Sequence, residues 1–200
     1  MVLIAERLRE LIREGLDFDT IETKIRDYMT RTHLLFMLES MANLANNGRV
    51  SPVVAKVAGL LGIRVVGKAS DVGTLEMLSK ERSSAKAVKA VLNYMKSEGW
   101  TGGKVRIGHV CNEPIALKLA EAIRAEGPET DLEYYPSTGL CSFYAEKGGY
   151  LLGFEKGHAP EKEWPVAYAD GVFTMGEMAL HLTASAPVEA EEPRYFMQAY

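Results

Sequence analysis

Asn46-Asn47-Gly48-Arg49-Val50-Ser51-Pro52 separates two apolar stretches of this chain. Asn and Gly tolerate positive φ, so Asn46-Asn47-Gly48 reads as the stop of a short helix over 39–45. Ser51-Pro52 reads as the start of the next helix, with serine as N-cap and proline at the first helical position. The apolar face of that second helix is Val54, Val57, Ala58 and Leu61. Immediately outward lie two strand-like runs, Thr32 to Leu38 before the pair and Ile63 to Lys68 after it. Strands alternating with helices in this way predict an α/β domain.

The same alternation continues in both directions. Ile4, Leu8, Leu11 and Ile12 recur at helical spacing up to Gly15, and Asp17 or Asp19 caps a second helix carrying Ile21, Ile25, Tyr28 and Met29. After the Ile63 strand, a turn at Val72-Gly73 returns Thr74 to Leu78 as a hairpin partner. Ser83 to Glu98 is a helix with Ala87, Val88, Val91, Leu92 and Met95 inward. Lys104 to Val110 is a strand, Pro114 to Ala125 a helix, Leu132 to Tyr135 a strand. Residues 137–143 begin irregularly and lead to a short strand near Phe143. Gly148-Gly149 is a tight turn before a last strand, Tyr150 to Phe154. The expected architecture is a layered α/β/α-type domain with a mixed sheet over 1–154.

From 155 to 200 the composition changes. Prolines stand at 160, 165, 187 and 193, and eight acidic against three basic side chains give a balance of -5. This acidic C-terminal extension is expected to hold a hairpin over Val166 to Phe173, turning at Asp170-Gly171, a short helix over Met175 to Leu182 and a mobile stretch over Ala184 to Glu192.

The totals narrow the function classes. The 200 residues suffice for one domain with a sizeable core, and the net charge of -4 argues against a nucleic-acid partner. Two cysteines outside any metal-type spacing make a disulfide framework improbable, so a reducing cytoplasm is the expected location. No apolar run approaches the ~20 residues of a membrane span, so no stable membrane insertion is expected. Neither a phosphate-loop pattern nor a nucleophile elbow nor a metal-ligand pair of histidines is present. Catalysis therefore has no local signature.

Several segments in fixed order resemble the second half of DegV-family proteins. They are Glu14-Gly15-Leu16-x-Phe18, the Asn47-Gly48-Arg49 turn, Lys80-x-Arg82, Ile107-Gly108-His109-Val110-Cys111-Asn112, and Gly139 to Gly149, within a likeness running from Leu11 to Phe154. The resemblance implies the fold of the family's C-terminal domain, with the N-terminal domain absent here. It also implies a fatty acid as ligand and no further cofactor. The acid would be held in an apolar tunnel and presented to a fatty acid kinase subunit that phosphorylates its carboxyl group. In many members a His-Thr-Gly-Pro-Gly segment aims a histidine at the head group. Tyr144 stands at that position here.

A tunnel needs apolar walls and a few polar groups at one end. Leu35, Met37, Met41, Val54, Ala58 and Leu61 are its candidate walls; the alternative for each is plain core. Arg49 follows a glycine turn and admits two readings. Either its guanidinium meets a carboxylate or a partner surface, or it bonds loop carbonyls to fix the turn. Tyr144 is a head-group donor or an ordinary half-buried tyrosine. His109, alternating with Val105 and Ile107, reads as a satisfied core histidine, and Asn112 as a helix cap. The other function classes open to this scaffold are a small-molecule enzyme or a regulatory or assembly domain, the last forming a homo-oligomer to cover an open apolar face.

Overall fold

In the computed structural model, residues 1–51, 62–70 and 73–157 are described in full, together with the backbone of 166–169, 172–175, 178–184 and 195–199. The helix predicted from Ser51-Pro52 lies outside these residues apart from Ser51, as does 185–192 of the stretch expected to be mobile.

The first unit spans Met1–His158. Its six strands are β1 Thr32–Leu38, β2 Arg64–Ala69, β3 Leu75–Glu81, β4 Val105–His109, β5 Leu132–Pro136 and β6 Tyr150–Glu155. They form one mixed sheet in the order β3-β2-β1-β6-β4-β5, with β4 and β5 parallel and the other neighbours antiparallel. Among the described residues the helices are α1 Val2–Arg13, α2 Phe18–Thr30, α3 Ala42–Asn46, α4 Ser84–Ser97, α5 Glu113–Glu126 and α6 Gly139–Ala145.

Period-2 alternation sorts the strand residues onto two faces. Leu35, Met37, Val66, Val105, Ile107, Tyr150, Leu152 and Phe154 form one buried cluster with Val91 and Met95 of α4 and Leu119 and Ile123 of α5. Each such side chain contributes about 1.5–3 kcal/mol by leaving water, so this face carries most of the core. The opposite face is covered in two separate places. Phe36, Leu38 and Val65 pack with Met41, Leu44 and Ala145 around α3 and α6. At the other end, α1 and α2 are held by Leu3, Leu11 and Tyr28, all buried.

Local chemistry fixes the helix ends. Asp17 accepts from Thr20 N–H at 3.0 Å to cap α2, and Ser83 accepts from Lys86 N–H at 3.3 Å to cap α4. Helix α3 ends in a Schellman motif: Arg49 N–H donates to Leu44 O at 2.8 Å and Gly48 N–H to Ala45 O at 3.0 Å, with Gly48 at φ 67°. The Asn-Asn-Gly stop is thus confirmed, although α3 begins at Ala42 rather than at Glu39.

Two expectations are corrected. Residues 139–145 form helix α6, not a strand near Phe143. Gly139 turns the chain at φ 57°, and the run that follows has no β-branched residue to oppose a helix. In the second unit, Ala159–Tyr200, Met178–Ala184 is a strand, not a helix. There Met178, Leu180 and Leu182 alternate with Ala179, His181 and Thr183, which is a strand period. This unit is an antiparallel meander in the order β10-β9-β8-β7, built from β7 Val166–Ala169, β8 Val172–Met175, β9 and β10 Tyr195–Ala199. Ala169 stands opposite Val172, as the expected hairpin requires.

Candidate functional site

Between the two covered ends of the second sheet face lies a groove of about 870 Å³. Its floor is low because two central strands carry glycine there. Gly108 of β4 and Gly153 of β6 both line it, and in the antiparallel register they stand opposite Leu151 and Arg106. Glycine inside a strand removes a side chain where something else must approach. The walls are Val2, Leu3 and Ile4 of α1, Met29 of α2, and Leu34 of β1. Leu34 and Met29 are 40% and 51% exposed, although each has one core neighbour in the chain, Leu35 and Tyr28.

Arg106 is the one charged residue among the described lining residues, and its charge is already spent. It is 6% exposed. Its Nε donates to Glu6 at 3.0 Å, Nη1 to Asp131 Oδ1 at 3.0 Å and Asp131 O at 2.8 Å, and Nη2 to Asp131 Oδ2 at 3.1 Å. Burial opposes the guanidinium charge, but the bonds to Asp131 and Glu6 outweigh it and keep the pKa above the ordinary arginine value. Arg106 hydrogen bonding in turn holds Asp131 below the usual carboxylate range. Arg106 therefore clamps α1 to the sheet and offers a ligand no free donor pair. Close by, Lys104 Nζ meets Glu10 at 2.5 Å and Tyr28 bonds Glu155, which anchors α1 and α2 from the same side.

At one end the groove becomes polar. Tyr135, Ser137, Thr138 and Cys141 line it there, and the three hydroxyls make no hydrogen bond among the described residues. Burial, then the charge of Glu6, pushes the Tyr135 phenol up, so it remains a neutral donor. No group of three or more His, Cys, Asp or Glu suited to a metal ion occurs among the described residues. No helix there is long and apolar enough to cross a membrane.

The sequence candidates fall in different places. Met37, like Leu35, is fully buried on the other sheet face, paired with Val66 and Tyr150, and does not line the groove. Met41 is buried in the α3–α6 cluster, and half-buried Tyr144 packs against that cluster, edge-on to Phe143 at 5.1 Å. Arg49 leaves the same region exposed, with no bond to its side chain among the described residues. Val54, Ala58 and Leu61 lie outside the described residues. His109 is a buried, satisfied histidine whose Nδ1 accepts from Asn112 N–H at 3.3 Å. Asn112 does not cap α5 with its side chain, which instead donates to Gly148 O at 2.7 Å. The groove residues missed from sequence include Leu34, Gly108, Gly153 and the hydroxyl-bearing Tyr135, Ser137 and Thr138. The in-strand glycines of Arg106-Ile107-Gly108-His109 and Leu151-Leu152-Gly153-Phe154 were the signal for two of them.

A family model described as "Uncharacterised protein, DegV family" matches residues 1–154. A DegV domain-containing protein of Streptococcus pneumoniae is 44% identical over 153 residues, which is 76% of this chain and 54% of the relative. Among solved structures, the Fatty Acid Kinase (Fak) B3 protein of Streptococcus pneumoniae loaded with linoleic acid is 44% identical, with a TM-score of 0.75 over 78% of this chain and 55% of that one. A DegV family protein of Eubacterium eligens loaded with heptadecanoic acid is also 44% identical, with a TM-score of 0.76 over 78% and 56%. This chain spans about half the length of the relatives it matches. The match over 1–154 and the shared six-stranded fold place it in the DegV family.

Proposed function

We propose that this chain is the C-terminal half of a DegV-family carrier that holds a long-chain fatty acid and presents it to a kinase partner, with no catalysis of its own. The observation that carries the reading is the groove: about 870 Å³, apolar along its walls, glycine-floored, and with its one described charged lining residue fully neutralised by protein carboxylates. That volume falls within the range of small-molecule sites, ~300–1,000 Å³. An acyl chain gains about 0.8 kcal/mol for each methylene taken out of water. The hydroxyls of Tyr135, Ser137 and Thr138 suit the oxygen-bearing end of such a ligand, because a buried carboxylate without donors would forfeit much of that gain. Two relatives at 44% identity hold linoleic and heptadecanoic acid, and one of them is a fatty acid kinase B protein. In this reading Arg49 and Tyr144, at the α3–α6 end, belong to the surface offered to the partner.

The test is extraction of the purified chain followed by mass spectrometry for fatty acids, beside the same protein with its upstream region restored. Acid recovered from this chain alone supports the groove as an adequate site. Acid recovered only from the longer protein would reduce this half to a wall of the site. Acid recovered from neither would sink the carrier reading.

A further inference from the structure

Glu146 holds a backbone conformation that side chains avoid. Its φ is 54°, and among the described residues Cys111 is the only other non-glycine at positive φ. Such a residue persists where its surroundings over-determine it, and its side chain is the place to look for the reason. Here the carboxylate reaches across 103 positions of sequence: Glu146 Oε1 accepts from the backbone N–H of Asn43 at 2.8 Å. The contact is reciprocal, because Asn43 Nδ2 donates to Phe143 O at 2.8 Å, near the end of α6.

The clasp matters because of what it holds. Helix α3 has five residues, too few to persist by itself. Its first N–H groups need acceptors. Ala42 N–H finds Ser40 Oγ at 3.3 Å, and Asn43 N–H finds Glu146. At its other end the Schellman motif delivers Arg49. The turn that carries Glu146 is itself fixed to the β4–α5 connection: Gly148 N–H donates to Val110 O at 2.9 Å, and Asn112 Nδ2 to Gly148 O at 2.7 Å. The Glu146 carboxylate therefore ties the first turn of α3 to this turn, beside the Asn43–Phe143 bond and the packing of Met41 and Leu44.

We infer that Glu146 is a positioning residue that locks α3, and through it Arg49, onto the α6–β6 turn. The use made of Arg49 rests on the carrier reading; the clasp does not. Glycine would relieve the strain at 146 but delete the acceptor, whereas glutamine keeps an acceptor oxygen.

The test uses the ligand-free chain. In Glu146→Gly, exchange of the Asn43 amide rises about tenfold and tryptic cleavage after Arg49 at least about fivefold, while cleavage elsewhere stays as in the wild type. The melting temperature stays within about 3 °C, because relieved strain offsets the lost bond. Glu146→Gln behaves as wild type. Asn43→Ala, which leaves residue 146 untouched, also speeds cleavage after Arg49, and serves if the glycine variant does not fold. Affinity for heptadecanoic acid stays within about twofold in Glu146→Gly. Unchanged exchange and cleavage, equal loosening in the glutamine variant, loosening spread over the whole domain, or a parallel loss of acid affinity would each overturn the assignment. Failure of the wild type to bind heptadecanoic acid would instead remove the carrier reading and leave the clasp standing.

Discussion

Gly153→Leu is the substitution that bears most directly on the groove. Gly153 sits on β6 facing the groove, and a Cβ built there meets Leu3 Cδ1 at 3.4 Å and His33 O at 3.9 Å, both ordinary contacts. Its φ is not positive, so the strand accepts a side chain, and leucine has the higher strand preference. The four added carbons take space that about three or four acyl methylenes would occupy. At ~0.8 kcal/mol per methylene the loss is about 2.4–3.2 kcal/mol, which is roughly a 50- to 200-fold weaker affinity. Binding of heptadecanoic acid to delipidated protein, followed by displacement of a fluorescent acyl probe, measures it. The penalty should shrink for acids several carbons shorter. Met37→Leu, buried on the opposite sheet face, is the control and should leave affinity unchanged. A folded Gly153→Leu protein with wild-type affinity would refute the placement of the acyl chain on this face.

Two further outcomes follow from the charges. Arg106→Met strands the carboxylates of Glu6 on α1 and of Asp131 just before β5 and should cost about 1–3 kcal/mol, discounted because Asp131 is half exposed, seen as a fall in Tm of roughly 3–10 °C. Asp131 is held below 3.8 by Arg106, so its share of that stability is complete above about pH 5 and is lost as pH falls through the lowered value; melts of the two proteins should therefore converge in acid, and a gap that widens instead would contradict the assigned pair. Arg49→Ala should weaken kinase-dependent phosphorylation of the acid more than acid binding, measured on the same preparation; equal loss of both would remove Arg49 from the partner surface.

Much of the fold was legible because local chemistry and tertiary packing agree. The helix stop at Asn46-Asn47-Gly48 is read from residues whose conformational tolerance is intrinsic, and the Schellman bonds of Gly48 and Arg49 realise it. The inward face of α4 follows from a 3.6 period, and Ala87, Val88, Val91 and Met95 are buried as it requires. The failures come where two periods compete over a short run. Leu140 to Ala145 holds a few apolar residues that fit a helix or a strand alike, and the strand period of Met178 to Ala184 spans too few residues to stand out. What decides between them lies outside each run: for α6 the distant Asn43, whose Nδ2 donates to Phe143 O, and for β9 pairing with β8, just before it, and with β10.

The site was harder to read than the fold for a different reason. Alternation along Leu34-Leu35-Phe36-Met37-Leu38 shows that neighbours point to opposite faces, but the pattern is symmetric and says nothing about what covers each face. Here α4 and α5 seal one face completely, so Leu35 and Met37 become core. Among the described residues the other face is covered at its ends, by α1 and α2 and by α3 and α6, and Leu34 lines the groove between them. Apolar character alone therefore selects core in preference to site, since core residues are the more numerous apolar ones. The discriminating signal is a missing side chain. Gly108 and Gly153 stand on the groove face of β4 and β6, where Ser137 lies against Gly108 and Leu3 of α1 borders Gly153; a strand glycine marks such a close approach. Arg106, two residues before Gly108 and opposite Gly153 in the β4–β6 register, carries the complementary lesson. A charge near an apolar groove suggests a head-group receptor until its partners are counted. With Glu6 and Asp131 already bound to its guanidinium, it serves as a fastener for the wall.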